Sequence, residues 1–236
     1  MSTPQPNHAL PYCLPIQCST KAEVFKVLDE NQHLFPYLEV WLGSITDLDD
    51  GLIRPIVELY GSRVIFVLRT KGSTIDIRGA RAERLLEEAS AAHATVDLDI
   101  HLQRDELHFL KTRGLPIQLI TSYHNYESTP SLEKLNSLCE EMRQYAPSIY
   151  KFSTYCEQPE DALQILQLGI SLRKQGLRTI ALGMGPHGAA TRIFGTLWGN
   201  ELIYAPRDAI YASAPGQFTQ QELEQVCSII TRCNRS

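Results

Sequence analysis

The 236-residue chain has six cysteines, Cys13, Cys18, Cys139, Cys156, Cys227 and Cys233, but no C-x-x-C pair and no histidine at finger spacing. Neither a zinc framework nor a disulfide scaffold is indicated, so the cysteines read as reduced, mostly buried small hydrophobes. Positive charge is not in excess: 22 Lys and Arg face 27 Asp and Glu, a formal net charge of -5. Non-specific nucleic-acid binding needs many cations that release counterions from phosphates, and no basic stripe supplies them. A few arginines converging in one pocket can still hold a small anion, whatever the global charge. No stretch approaches the roughly 18 to 20 apolar residues that span a bilayer. The start, MSTPQPNHALPYC, lacks the apolar centre of a secretory signal. A cytoplasmic chain with no membrane partner is the expectation. Biased tracts, a composition break and a self-similar repeat are also missing.

What is present is alternation. Short runs rich in β-branched and aromatic residues lie at 11–17, 37–43, 64–69, 95–102, 116–124, 149–155, 179–184 and 201–206, with stretches of helical period between them. ARAERLLEEASAAHA carries its leucines on one face. SLEKLNSLCEEMRQYA opens on a serine cap, and PEDALQILQLGISLRKQG has proline in its first turn and glycine at its end. Eight strand-helix units without a long linker predict one (β/α)8 barrel over residues 11–236, preceded by a flexible segment at 1–10. An open doubly wound sheet is the alternative.

A barrel keeps its chemistry at the C-terminal ends of its strands and in the loops that follow. Glu39, Arg69, Asp99, His124 and Lys151 fall within or at the ends of separate predicted strands, and Arg192 and Gln217 follow the seventh and eighth. These residues should share one mouth. Lys151, inside SIYKFSTY, is costly to bury as an ammonium and must be paired, neutral or used as an amine. The competing reading is a lysine that snorkels to water. Flanked by Ile149, Tyr150 and Phe152 and near arginines, its pKa should fall toward neutrality, as a Schiff-base nucleophile requires. His124 ends the run LITSYH; it is either a core histidine satisfied by a carbonyl or a proton carrier. Asp97 and Asp99 alternate and so point to the same side of the pleat, where a carboxylate would fix the tautomer of His124 or form a structural ion pair. Arg69 and Arg192 offer forks suited to a carboxylate. GMGPHG is a tight loop and not a P-loop, and SAPGQ, with Ser213 and Gln217, is a turn when taken alone.

Taken together, SYHNYESTP around His124, YKFS with Lys151, GMGPHGAATRIFG with Arg192, and SAPGQ make the chain resemble the type I 3-dehydroquinate dehydratases from about residue 11 onward. The resemblance implies a (β/α)8 barrel that dehydrates 3-dehydroquinate to 3-dehydroshikimate through a lysine imine. It needs no metal or organic cofactor, because the protonated imine is the electron sink. By the same resemblance, Lys151 forms the imine and His124 is the general acid-base. Asp99 stands where a glutamate supports that histidine, and Arg69, Arg192, Ser213, Gln217 and Glu39 hold the anionic substrate. A homodimer and a fusion or pathway link to a shikimate dehydrogenase are implied likewise. There are three departures. The second-strand pattern Glu-x-Arg-x-Asp reads Glu39-Val40-Trp41-Leu42-Gly43, Pro15 stands near an expected serine, and Asp99 is one methylene short, so its contact with His124 should be longer or water-bridged. The alternatives are another Schiff-base barrel such as a class I aldolase, or a carboxylate-binding protein that keeps the fold without efficient turnover.

Overall fold

The computed structural model describes residues 10–69, 75–206, 208 and 217–233. Eight strands run β1 (Tyr12–Ile16), β2 (Tyr37–Trp41), β3 (Val64–Val67), β4 (Thr95–Asp99), β5 (Gln118–Asn125), β6 (Ile149–Tyr155), β7 (Thr179–Met184) and β8 (Ile203–Tyr204). The helices are α1 (Lys21–Asn31), α2 (Ile53–Tyr60), α3 (Ala80–Ala91), α4 (Arg104–Arg113), α5 (Leu132–Arg143), α6 (Pro159–Lys174), α7 (Ala189–Leu197) and α8 (Gln220–Cys233). The strands pair in parallel in the order β7-β6-β5-β4-β3-β2-β1-β8, which is the (β/α)8 barrel laid open at the β7/β8 seam. Asn200 closes that seam. Its side chain accepts from the Ala181 N–H and donates to the Ala181 carbonyl, both at 3.1 Å, and the Glu201 N–H donates to the Thr179 carbonyl at 3.1 Å. A side chain thus supplies the pairing that a strand of two residues is too short to make.

The helix ends follow the sequence signals. Ser131 caps α5 by accepting from the Lys134 N–H, and Pro159 opens α6, which is followed by Gly176 at φ 79°. Thr20 and Glu23 form a reciprocal capping box at the start of α1. Several strands are shorter than the apolar runs suggest. β2 gives way to a single 3-10 turn at Leu42–Ser44, β4 stops at Asp99, and β8 keeps two residues of its expected six. Pro15 lies within β1 yet disrupts no ladder on the β8 side, because β8 pairs only with Tyr12 and Cys13.

Alternation along the strands sorts the interior into two cores. Outward-facing residues such as Val96, Leu98, Tyr150 and Phe152 pack beneath the helices. Inward-facing Cys13, Ile65, Ile120, Ile149, Ile180 and Leu202 fill the barrel's lower layers. The inward positions nearer the C-terminal ends are the polar ones: Glu39, Asp97, Asp99, Ser122, Lys151 and Ser153 are all buried. A barrel of this size is filled by side chains, so these charges must satisfy one another.

Candidate active site

Lys151 sits in the middle of β6, level with Ser122 of β5 and Ile180 of β7. Its chain neighbours Tyr150 and Phe152 point the other way, into the outer core, so they do not surround the amine as their sequence proximity suggests. The ammonium meets polar partners: Asp97 Oδ2 at 2.7 Å, the Tyr204 hydroxyl at 3.0 Å and Glu39 Oε2 at 3.2 Å. This reverses the expected direction of its titration. Burial pushes the lysine down, and Arg69 adds to that, but Asp97 and Glu39 outweigh both and hold its pKa above the ordinary value. Asp97 shows the other half of the pair. Its burial is overcome by Lys151 and then Arg69, and its carboxyl is held at about 2. The resting lysine is a paired ammonium.

His124 stands one strand away on β5, level with Ser153. Its Nδ1 lies 2.9 Å from Asp99 Oδ2, and its backbone N–H donates to the same oxygen at 3.1 Å. Asp99 Oδ1 accepts from the His101 and Leu102 backbone N–H groups. The contact is therefore direct, neither lengthened nor bridged: the turn after β4 ties the shorter acid in place, and the strand register brings it to the ring. Asp99 is a fixed acceptor, which puts the proton on Nδ1 and turns Nε2 to the cleft. Burial, then the charge of Arg69, lower the pKa of His124 to about 4, so the ring is neutral near pH 7.

Both histidine and lysine line a cleft of about 480 Å³, counted out to its open mouth. Glu39, Arg69, Arg192 and Gln217 line the same cleft, so six of the eight expected site residues meet there. Asp99 stands behind His124, and Ser213 lies outside the described residues. The Nε atoms of Arg69 and Arg192 are buried and have no hydrogen-bond partner among the described residues. Two guanidinium donors at one mouth, unpaired among the described residues, have the chemistry that can hold an anion. Arg192, in the first turns of α7, has its pKa lowered by burial to about 10 and remains a cation near neutral pH.

Several groups were not foreseen in these roles. Tyr204 bridges Lys151 and Glu39, donating to Glu39 Oε2 at 2.7 Å. Trp41 donates its indole N–H to Glu39 Oε1 at 3.0 Å, and its ring lies 5.2 Å from the Arg69 guanidinium carbon. The Ser122 hydroxyl donates to Asp97 Oδ1 at 2.5 Å. Tyr126 stacks on His124 at a centroid distance of 6.1 Å. The two-residue spacing of Trp41 from Glu39, Ser122 from His124 and Asp97 from Asp99 is the sequence signal that points to several of them.

Fold and site define a (β/α)8 barrel enzyme with a buried lysine amine, a neutral histidine and two arginines in one cleft. The chain belongs to the type I 3-dehydroquinase family, whose profile matches residues 12–233. A 3-dehydroquinate dehydratase of Methanococcus maripaludis is 29% identical over 224 residues, covering 92% of this chain and 99% of that one. The crystal structure of the 3-dehydroquinate dehydratase of Geobacillus kaustophilus superposes with a TM-score of 0.79 at 24% identity, covering 94% of this chain and 91% of that one. The dehydroquinate dehydratase and shikimate dehydrogenase chain of S. pombe matches with a TM-score of 0.75 at 16% identity over 95% of this chain and 45% of its own. At such identities the two structures speak for the fold.

Proposed function

We propose that this chain dehydrates 3-dehydroquinate to 3-dehydroshikimate, with Lys151 as the imine-forming amine and His124 as the general acid-base. One observation carries the assignment of residues: a buried lysine and a neutral, Asp99-oriented histidine open into the same cleft as two arginines whose Nε donors have no partner among the described residues. The substrate's carboxylate satisfies those donors, and its ketone is then directed at the lysine.

Chemistry begins with the ammonium losing a proton. Asp97, held at about 2, is a poor acceptor, which leaves Glu39, 3.2 Å from Nζ. The proton passes from Nζ to the Glu39 carboxylate, and the free amine adds to the C3 carbonyl. Glu39 returns the proton to the carbinolamine hydroxyl, which leaves as water to give an iminium, whose positive nitrogen acidifies C2. His124 Nε2 takes the C2 proton, the electron pair forms the enamine, and the enamine expels the C1 hydroxyl as His124 returns its proton to that oxygen. Hydrolysis of the product imine releases 3-dehydroshikimate and restores Lys151. Covalent catalysis divides one hard elimination into easier steps, and a positioned acid-base contributes about 100-fold to 10,000-fold. Asp99 keeps Nε2 available, as an orienting carboxylate does for other catalytic histidines.

In this reading Gln217 and Ser213 hold the substrate; Ser213 lies outside the described residues, and the Gln217 amide donates to the Tyr204 carbonyl at 2.8 Å. The reading extends to a cytoplasmic homodimer whose product passes to a shikimate dehydrogenase, as the two activities named together in the S. pombe chain suggest. Sedimentation of the purified chain checks the dimer. Incubation with 3-dehydroquinate tests the activity: growth of a conjugated-enone absorbance is expected, and its absence from a folded protein overturns the proposal.

A further inference from the structure

The charged cluster under the cleft is held by a residue that the reaction scheme leaves idle. Glu39 has both oxygens engaged from within the chain. Oε1 accepts from the Trp41 indole at 3.0 Å, and Oε2 accepts from the Tyr204 hydroxyl at 2.7 Å and from Lys151 at 3.2 Å. A carboxylate gripped on both sides by rigid aromatic donors is not free to turn toward a substrate hydroxyl. Tyr204 is committed as well. Its hydroxyl hydrogen goes to Glu39, so the lone pairs on the same oxygen receive Lys151 at 3.0 Å, and Nζ lies 4.5 Å from the ring centroid. The ring is wedged into the inner core beside Cys13 and Leu202, which fixes the phenol oxygen in space.

We propose that Tyr204 is a positioning residue for Lys151: its hydroxyl, donating to Glu39 and accepting from Nζ, aims the amine at the cleft and reserves Glu39 as the lysine's proton partner instead of a substrate contact. This rests on the imine reading of Lys151 and changes the part taken by Glu39. The four acceptor and ring contacts of Nζ come from three strands far apart in sequence, β2, β4 and β8. Two of them converge on Tyr204, so losing its hydroxyl lets the amine settle toward Asp97. A displacement of about 1 Å of a reacting group costs on the order of 100-fold in rate.

The test is Tyr204→Phe, which keeps the ring and removes one oxygen, alongside Glu39→Gln and the double variant, with steady-state kinetics on 3-dehydroquinate and the rate of borohydride-trapped adduct formation. For Tyr204→Phe, kcat and the trapping rate should fall together by about 10- to 100-fold, with KM within about threefold of wild type. Glu39→Gln should likewise act on kcat. The double variant should be no more than about threefold slower than the worse single one, because both act on the same amine. If kcat and the trapping rate of folded Tyr204→Phe stay within twofold of wild type, the proposal is overturned. A rise confined to KM in either variant also overturns it, by making that residue a substrate contact. A Tyr204→Phe protein that does not fold leaves Glu39→Gln to decide by the same split between kcat and KM. Wild type that forms neither enone nor adduct overturns the imine reading, and this proposal with it; active wild type beside an unaffected Tyr204→Phe overturns this one alone.

Discussion

Acidification measures how strongly the barrel holds His124 neutral. The folded ring has its pKa lowered to about 4 from an ordinary 6.5, by burial first and by the Arg69 charge second. At about 1.4 kcal/mol per pH unit, that difference is about 3 kcal/mol of preference for the neutral ring in the fold. Between the two values the unfolded chain binds a proton that the folded chain does not, so stability falls as pH falls, by up to about 1.4 kcal/mol per unit, and levels off below about pH 4. Asp97, at about 2, and Asp99, whose burial is outweighed by His124 and the His101 and Leu102 N–H groups together so that it too is held below its ordinary value, stay ionised through most of that window. The assay is urea unfolding of wild type and His124→Gln at steps from about pH 7 to about pH 4. The stability difference between the two should change by about 3 kcal/mol across the range, in the sense that wild type loses more. The acid limb of kcat/KM should lie near pH 4 as well. A difference that stays constant with pH would refute the reasoning, because His124 would then titrate alike in folded and unfolded chains.

Other consequences are open to simpler tests. Asp99→Asn no longer fixes the proton on Nδ1, and kcat should drop by about 100- to 10,000-fold with KM little changed. Arg192→Gln removes a buried cation whose Nε has no partner among the described residues, so KM should rise by about 10- to 100-fold, as expected for about 1.5–3 kcal/mol of charge-assisted hydrogen bonding, while kcat moves much less. Asn200→Ala leaves the buried Ala181 N–H and carbonyl unpaired at the β7/β8 seam, and urea unfolding should register a loss of about 2–4 kcal/mol with an unchanged m-value.

Much of the fold was legible because parallel strands and their helices are built from local signals. The apolar runs, the Ser131 cap and the Pro159 to Gly176 frame each announce an element without reference to the rest of the chain. β8 is shorter than the run ELIYAP suggests because Asn200, a single side chain, makes part of the closure. The site was legible only as far as motifs carry it. Lys151, His124 and the arginines could be picked out along the chain, but the amine's charge state could not. That state depends on Glu39, which is 112 residues away from Lys151, and on Asp97, 54 away. Reading its neighbours along the strand gave an apolar surrounding, whereas the two-residue period sends Tyr150 and Phe152 outward. Trp41 looked like a lost arginine; in the fold its indole becomes one of the two grips on Glu39. Sequence spacing has no means of showing that substitution of one donor for another.

The central claim is that the Lys151 amine forms an imine with the substrate ketone. The direct measurement is peptide mass spectrometry after borohydride treatment in the presence of 3-dehydroquinate. One reduced adduct is expected, on the peptide that contains Lys151, in wild type and none in Lys151→Ala. An adduct absent from wild type, or found on another lysine, would contradict it.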